Sequence, residues 1–406
     1  MTKTVAVLAT LDTKGIEARY LAEQIETLGG AALLVDIGVV GEPAVEPDVS
    51  RAQVAAAGGT PLEEILEAPT RQAASPIMVA GATRLLLKRI ADDRLDGVIG
   101  LGGTQGTSNC TGVMQGLPYG FPKVMVSTAA SGDTSAFVGI KDITMMFSVG
   151  DILGLNPVTR KILANAAAAA YGMACSRVTL DIVPGAKPLI GMTNLGVLTE
   201  GAMLALQFFQ EAGYEVIVFH AVGSGGLAME QLMKDGLIGA VFDYGLGEIP
   251  DEMYDGLRAS GPERLTVAGR LGLPQVICPG GLEHIGLLTE PNTVPERYRE
   301  HQVAFHNPII LAIRLKAKEL VAVAQEVTKR LSHTKDRAYF IMPKLGMSRY
   351  AVEGGQLHDP AGDEAFLAEI KRGLPDNIEL LERELHAEDP AFVKEAVERL
   401  ISLIEG

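Results

Sequence analysis

The chain has 406 residues, of which 47% are hydrophobic and 21% are charged, and its formal net charge is −15. This length indicates two or three domains, and the composition is typical of a well-packed globular protein. The negative charge repels nucleic acid and anionic membranes, so we expect neither as a partner, whereas a small phosphorylated ligand held by backbone N–H groups is compatible with it.

The cysteines and the first residues predict a cytoplasmic protein. Cys110, Cys175 and Cys278 lie far apart and form neither a CxxC pair nor a metal-binding spacing, so we expect reduced thiols. Residues 1–7 lead directly into a strand without a signal-peptide pattern. The most apolar segment, residues 162–174, is rich in alanine and is interrupted by Asn165, which predicts a buried helix rather than a membrane span.

The first half of the chain has the pattern of a parallel sheet. Residues 4–9 are an apolar run of strand length, apolar residues at helical spacing follow up to Leu28, and residues 31–36 are a second strand. This β-α-β opening predicts a parallel sheet with a right-handed crossover. After a loop-rich excursion, further strands are predicted at residues 95–101, 122–127 and 142–147, and helices at residues 78–90 and 153–172.

The pattern restarts at Lys187, where residues 187–213 resemble residues 3–29. We therefore predict an α/β protein of two Rossmann-like halves, with mainly parallel sheets and helices on both faces. The predicted domains are a nucleotide-binding domain, residues 1–180, and a second α/β domain, residues 181–406. Near the end of the chain the pattern predicts one long helix at 308–331, a strand at 338–342, an edge strand at 378–381 and a terminal helix at 389–404.

Three loops that carry glycine and hydroxyl groups follow strands of the first half, at residues 10–15, 102–108 and 127–133. Ligands of open α/β sheets bind outside the carboxyl ends of the strands, where N–H and hydroxyl groups donate to phosphate oxygens. We predict one phosphate-binding mouth, with the alternative that these turns only end the strands of a compact fold. Its predicted cofactor-binding residues are Thr10, Leu11, Asp12, Thr13, Lys14, Gly102, Gly103, Thr104, Gln105, Gly106, Thr107, Ser127, Thr128, Ser131, Gly132 and Asp133.

Two common nucleotide motifs are absent from the central loop. A P-loop needs a lysine after Gly106, and a dinucleotide fingerprint needs a glycine where Gln105 stands. A nicotinamide-dependent dehydrogenase is therefore disfavoured. In the predicted mouth, Lys14 supplies one cation, and Asp12 or Asp133 holds magnesium through water.

The strand ends of the second half carry imidazoles and carboxylates instead. These groups suit an acid–base pair or a divalent-metal site, but no tight ligand spacing such as H-E-x-x-H is present. Each histidine is alternatively an ordinary loop or interface residue, and metal ligands are not assigned. The predicted catalytic residues are His220, Glu248, Glu283 and His284, with Glu230, Asp243 and His306 nearby.

Four segments are distinctive when they are taken together: residues 9–15, 100–108, 125–133 with 142–146, and 163–167. They resemble the uncharacterised UPF0261 family, also called the Tm-1-like ATP-binding domain family. This resemblance implies two Rossmann-like halves, ATP with magnesium bound in the first half, and a homodimer. Gln105 departs from the smaller residue that is usual in the family, so we expect an altered phosphate cradle.

Three functions agree with these observations. The first is an ATP-binding enzyme that acts on a small metabolite in a cleft between the halves, near His220, Glu283 and His284. The second is a nucleotide-dependent regulatory or interaction protein without turnover. The third is a module that binds a sugar phosphate or another metabolite.

Overall fold

A computed structural model describes residues 2–67, 70–180 and 185–406. These residues form two units, Met1–Asp181 and Ile182–Gly406, which we name the N-terminal and the C-terminal unit. The predicted domain boundary after residue 180 adjoins residues 181–184, which lie outside the described residues.

The sheet of the N-terminal unit has five parallel strands in the order β2-β1-β3-β4-β5. The chain moves from β1 outward to β2 and then returns to the other side of β1 with β3. This reversal creates a topological switch point between β1 and β3. The strands are β1 (Thr4–Ala9), β2 (Ala31–Asp36), β3 (Gly97–Gly102), β4 (Lys123–Ser127) and β5 (Thr144–Phe147).

Helices cover both faces of this sheet because successive buried side chains of a strand point to opposite faces. Val5 and Val7 pack in the core with α1 and α7, whereas Ala6 and Leu8 pack in the core with α2, α4 and α5. The helices are α1 (Leu11–Thr27), α2 (Arg51–Gly58), α3 (Leu62–Glu67), α4 (Arg71–Ala91), α5 (Thr104–Gln115), α6 (Ser135–Val138) and α7 (Pro157–Ala174).

The C-terminal unit repeats this plan with six parallel strands in the order β14-β13-β9-β8-β6-β7. Its strands are β6 (Ile190–Asn194), β7 (Val216–His220), β8 (Ala240–Gly245), β9 (Gln275–Gly280), β13 (Ala338–Pro343) and β14 (Ile378–Arg383). Its helices are α8 (Thr199–Glu211), α9 (Ser224–Lys234), α10 (Glu248–Met253), α11 (Val267–Leu271), α12 (Ala317–Leu331), α13 (Pro360–Gly373) and α14 (Pro390–Glu405). Short 3₁₀ turns occupy Gly196–Leu198 and Glu296–Tyr298.

A second, antiparallel sheet of the C-terminal unit corrects the prediction of one long helix at residues 308–331. Its strands are β10 (His284–Leu288), β11 (Val303–Asn307) and β12 (Ile310–Arg314), in the order β10-β12-β11. The apolar start of the predicted helix is β12, and helix α12 begins only at Ala317. A short apolar run fits a buried strand and a buried helix equally well, and pairing with β10 and β11 decides between them.

The predicted α/β class, with two Rossmann-like halves and helices on both sheet faces, is confirmed. In the C-terminal unit, Val276 and Cys278 of β9 pack in the core with α8 and α14, while Ile277 packs in the core with α12 and α13. In the part of the chain that the structure describes, every helix is too short or too polar to cross a bilayer.

Candidate functional site

The three predicted loops of the mouth follow neighbouring parallel strands of the N-terminal unit. β1 ends at Ala9, β3 at Gly102 and β4 at Ser127, and β3 pairs with both other strands. The loops therefore lie along one edge of the sheet, beside the switch point between β1 and β3. This edge is where open α/β sheets bind their ligands.

Two glycines shape the start of α5 at this edge. A Cβ atom on Gly102 would lie 2.8 Å from the Cα atom of Gly106, so this position needs glycine. A Cβ atom on Gly103 would meet only the hydroxyl oxygen of Thr128, at 3.8 Å, so the space in front of α5 is open. No described side chain caps α5, so the partial positive charge of its first turn faces this opening.

The hydroxyl groups of the mouth divide into an inner and an outer set. The hydroxyls of Thr107 and Ser127 are buried and lie 2.7 Å from each other, so they hold α5 against β4. The hydroxyls of Thr10 and Thr13 lie 3.0 Å apart at the start of α1. Three further predicted residues, Thr104, Ser131 and Gly132, are exposed. The outer hydroxyls, which are those of Thr10, Thr13, Thr104 and Ser131, can donate to a ligand. The inner hydroxyls of Thr107 and Ser127 support the loops.

Several predicted contacts of the mouth are already engaged within the protein. The Lys14 ammonium donates to the backbone carbonyl of Ile152. The N–H of Leu11 donates to a carboxylate oxygen of Asp36 over 3.1 Å, and the Gln105 amide donates to Asn109 over 3.0 Å within α5. These groups shape the mouth and are only partly available to a ligand.

The two carboxylates predicted to hold magnesium lie in different surroundings. Asp133 is exposed, and hydrogen bonds from the N–H and hydroxyl of Ser135 lower its pKa. Asp12 is half-buried next to Gly41, where a Cβ atom would lie 2.9 Å from an Asp12 carboxylate oxygen. Within the described residues no group of three or more His, Cys, Asp or Glu side chains is arranged to hold a metal ion.

The C-terminal unit contains a pocket of about 180 Å³ that is lined by both apolar and polar side chains. Its apolar wall comes from the β6–α8 turn, from the residues after β7 and from β12. Its polar groups are three imidazoles, a guanidinium and a phenol, from His220, His284, His306, Arg258 and Tyr350. The structure thus brings two of the predicted catalytic histidines, His220 and His284, into one pocket.

A carboxylate fixes the tautomer of His284. The Oε1 atom of Glu283 lies 3.0 Å from Nδ1 of His284, and both side chains are buried. Burial alone would raise the pKa of Glu283, but His284, Arg314 and the hydrogen bond from Ser348 lower it to about 2. The ionised carboxylate only accepts hydrogen bonds, so Nδ1 of His284 carries the proton.

The other ring nitrogen of His284 faces a guanidinium. Nη1 of Arg258, which can only donate, lies 3.4 Å from Nε2, so Nε2 presents its lone pair. The remaining nitrogens of Arg258 donate to Asp251 over 2.9 Å and to the carbonyl of His284 over 2.8 Å. These bonds leave Arg258 Nη1 as the guanidinium nitrogen directed to the imidazole.

The other polar groups of the pocket come from three separate elements. His220 ends β7, is exposed, and its Nδ1 lies 3.3 Å from the backbone oxygen of Asn194. His306 of β11 is exposed, and its Nδ1 lies 3.2 Å from the phenol oxygen of Tyr350. Burial raises the pKa of Tyr350 and outweighs the opposing effect of Arg349, so the phenol stays protonated and can donate at neutral pH.

Glu248, the remaining predicted catalytic residue, does not line this pocket. Its carboxylate is fully buried and accepts hydrogen bonds from the N–H groups of Gly223 and Gly226 and from Arg264. Arg264 also pairs with Asp243 through two contacts of 2.5 Å. Glu248 therefore belongs to an internal ion cluster that holds the end of β8.

Both halves of the sequence match models of one protein family. Residues 3–179 match the N-terminal domain of the uncharacterised protein family UPF0261, and residues 187–404 match its C-terminal domain. The chain belongs to the UPF0261 family. A UPF0261 protein of Clostridium tetani is 36% identical over 406 residues, which is 100% of both chains. A UPF0261 protein of Rhizobium meliloti is 38% identical over 399 residues, 97% of this chain and 98% of the relative.

A plant protein is a more distant relative of this UPF0261 chain. The ToMV susceptible protein tm-1(GCR26) of Solanum lycopersicum is 28% identical over 388 residues, which cover 91% of this chain and 51% of the tomato protein. The resemblance to this family that the sequence motifs indicated is therefore confirmed. Bound nucleotide, dimerisation and cytoplasmic location stay predictions.

Sequence reasoning missed two polar groups of this UPF0261 pocket. Arg258 stands in the loop between α10 and α11, and Tyr350 in the loop after β13. Neither residue follows a glycine-rich strand end, so no strand-end motif marks it in the sequence. The sequence does single out His306, but its place in β11 depends on the antiparallel sheet, which the pattern does not predict.

Proposed function

We propose that the N-terminal unit binds a nucleotide, ATP with magnesium, through its phosphates at the mouth between β1 and β3. The observation that carries this proposal is the uncapped start of α5 at the switch point, with open space in front of Gly103. A helix N-terminus favours an anion because its first N–H groups lack partners and carry partial positive charge.

The donors of the mouth suit phosphate groups better than they suit the base of a bound dinucleotide. The exposed hydroxyl of Thr104 belongs to the first turn of α5, whose N–H groups are uncapped, and phosphate oxygens accept from both kinds of donor. Gly103 lets a phosphate approach the backbone, because no side chain there stands in the way.

Magnesium fits this mouth only together with the phosphates. Mg²⁺ commonly uses one or two carboxylates plus phosphate oxygens and water instead of an all-protein cage. Asp12, half-buried beside the β1 loop, and the exposed Asp133 are carboxylates of that kind. Bound magnesium would neutralise phosphate charge and offset the repulsion from these acids.

The test is ligand-induced thermal stabilisation with ATP, ADP, inorganic triphosphate and ribose 5-phosphate, each with and without magnesium. A ligand at 100 times its Kd stabilises the folded state by about 2.7 kcal/mol, which is readily measured. We expect ATP with magnesium to raise Tm most. Stabilisation by ribose 5-phosphate alone would favour a sugar-phosphate module, and no stabilisation by millimolar ATP would contradict the proposal.

Two glycine substitutions locate the site. Gly103→Val should abolish the ATP shift and leave the fold intact, since its φ of −75° and ψ of −166° suit a β-branched residue. Gly172→Val is the matched control, because a Cβ atom there meets nothing within 4 Å and the residue is exposed in α7. Equal ATP shifts in both variants would place the nucleotide elsewhere.

A second function, an enzyme of small-molecule metabolism, is favoured by the pocket of the C-terminal unit. The Glu283–His284 pair holds an imidazole with its proton on Nδ1 and its Nε2 lone pair beside Nη1 of Arg258, in the lining of the pocket, which is the arrangement of a general base. A purely regulatory nucleotide-binding protein has no need of such a group.

Metabolite profiling tests this second function because it can detect turnover of an unidentified substrate. The protein and its His284→Gln variant are incubated with a small-molecule extract, with and without ATP and magnesium, and the products are compared by mass spectrometry. We expect at least one compound to be consumed by the unmodified protein alone. Identical profiles would support the regulatory alternative.

A further inference from the structure

We propose that the pocket of the C-terminal unit removes a proton from the carbon next to the carbonyl group of a small oxo acid, with His284 as the base. This proposal rests on the second proposed function, an enzyme acting on a small metabolite. It adds the substrate class and the chemical step. Neither depends on nucleotide binding in the N-terminal unit.

The hydrogen-bond network prepares His284 to accept a proton. Glu283 accepts the Nδ1 proton over 3.0 Å, which leaves the lone pair on Nε2. The carboxylate is itself oriented by the hydroxyl of Ser348, which donates to the same oxygen. When Nε2 takes a proton, the resulting imidazolium is stabilised by this buried anion. Ser348 and Glu283 are positioning residues, because they act through His284.

A donor for negative charge stands directly beside this base. Nη1 of Arg258 lies 3.4 Å from Nε2, so a substrate oxygen bound to Arg258 would place the neighbouring carbon close to the imidazole. Two hydrogen bonds to Asp251, each 2.9 Å, hold the guanidinium in place. A fixed donor beside the place where negative charge develops is usually the largest single contribution to catalysis.

The pocket does not offer the groups that covalent catalysis usually needs. Among the described residues that line it there is no serine, threonine, cysteine, lysine or carboxylate. The nearby Ser348 hydroxyl is buried and committed to Glu283. Imidazole, guanidinium and phenol groups instead move protons and stabilise anions, which favours enolate chemistry over acyl transfer.

The step balances without a further reactant. The proton of the substrate C–H bond moves to Nε2 of His284, and the electron pair of that bond forms a carbon–carbon double bond. The carbonyl π electrons move onto oxygen, where Arg258 donates to the enolate. Return of the proton to carbon restores neutral His284 and releases either the original compound or its isomer.

The size and polarity of the pocket define the substrate class. A volume of about 180 Å³ suits a compound of a few carbons, since a cavity of about 150 Å³ takes a molecule the size of benzene. His220, His306 and Tyr350 place hydrogen-bond donors near the exposed side of the pocket. These donors suit the carboxylate group of the substrate, and the carbon chain of the substrate would then lie against the apolar wall.

Deuterium exchange tests the proposal with three probes, 2-oxobutyrate, 2-oxoglutarate and 3-oxobutyrate. The full chain is incubated with each probe in D₂O, and deuterium next to the carbonyl is followed by NMR against buffer alone. We expect exchange of at least one probe well above the buffer rate. His284→Gln should lower this enzymatic rate by about 100-fold or more, the usual contribution of a general base.

Two further variants keep the test decisive if His284→Gln fails to fold. Tyr350→Phe should lower the rate by about 10-fold, the equivalent of one lost hydrogen bond, while its ring still packs. His333→Gln, at an exposed histidine, is the control and should keep the full rate. Exchange that all variants retain, or exchange of butanone as fast as of the oxo acids, would overturn the proposal.

The two proposals fail in different ways. Absence of exchange with all three probes, together with a His284-dependent conversion in metabolite profiling, would refute the oxo-acid inference and leave the enzyme function standing. Absence of both would refute the enzyme function as well. Exchange that depends on His284 supports both.

Discussion

Replacing Arg264 with methionine removes the guanidinium around which three buried carboxylates are arranged. Arg264 is fully buried and contacts Asp243 at 2.5 Å, Glu248 at 2.6 Å and Glu230 at 3.5 Å. Methionine keeps an unbranched apolar stem, but it is shorter than arginine and cannot donate. Removal of one partner of a buried ion pair costs about 3–5 kcal/mol, so we expect Arg264→Met to lose about 4 kcal/mol or more at pH 8.

The loss should depend on pH with a definite sign. Burial already raises the pKa of Glu230 to about 7, although Arg264 lowers it, and burial raises the pKa of Glu248 as well. Without Arg264 both values rise further. A carboxyl whose folded pKa lies above its unfolded value destabilises the fold as pH rises through that interval, so the deficit should shrink from pH 8 to pH 5.

Urea unfolding followed by far-ultraviolet circular dichroism at both pH values measures the two effects. Arg270→Met is the matched control, because Arg270 is about half exposed and its contact with Glu263 is 3.8 Å long. Such a surface pair is worth about 0–1 kcal/mol, so the control should unfold nearly like the unmodified chain at either pH. A deficit in Arg264→Met that equals the control, or that is independent of pH, would refute the structural role assigned to this cluster.

Three further outcomes follow from the structure. The carboxyl of Glu283, whose pKa is lowered to about 2, contributes stability that is present above pH 4.5 and lost as the pH falls toward 2. Ser348→Ala removes a hydrogen bond that lowers this pKa, so in acid titrations of Tm the loss should occur at higher pH. Gly201→Ala should lower the free energy of unfolding by about 1–3 kcal/mol, because its Cβ atom would lie 1.9 Å from the buried hydroxyl of Tyr244. In the control Gly172→Ala the Cβ atom meets nothing within 4 Å, so this variant should be slightly more stable. In the native protein a thiol reagent should label Cys175 and spare the two buried cysteines, which denaturation would expose.

Buried parallel strands between glycine turns were the easiest part of the fold to predict. The apolar run of residues 4–9 is β1 without any change of boundary, and the predicted edge strand near Ile378 is β14 at the sheet edge. Strands such as β1 are apolar on both faces, so their sequence signal is local. Because residues 187–213 resemble residues 3–29, the same parallel-sheet plan was predicted for the second half.

The antiparallel sheet was not predictable in the same way because only one of its two pairings is local in sequence. β11 and β12 form a hairpin, whereas β10 is distant from its partner β12. β12 becomes a strand through its partner β10, where Ile285 pairs with Ile313. The same limit applies to the candidate site. Sequence spacing selected Glu283 and His284, but the position of Arg258 depends on its contacts with Asp251, which no local pattern reveals.

The two units use equivalent strand ends differently. In the N-terminal unit the switch point opens in front of Gly103, where a ligand anion can approach α5. In the C-terminal unit the switch point lies between β6 and β8, and protein side chains already fill it. Thr193 of β6 donates to Asp243 of β8 over 2.8 Å, and Arg264 pairs with the same carboxylate. An external anion would have to displace this buried cluster, which is why we propose ligand chemistry beside it, in the pocket around His284.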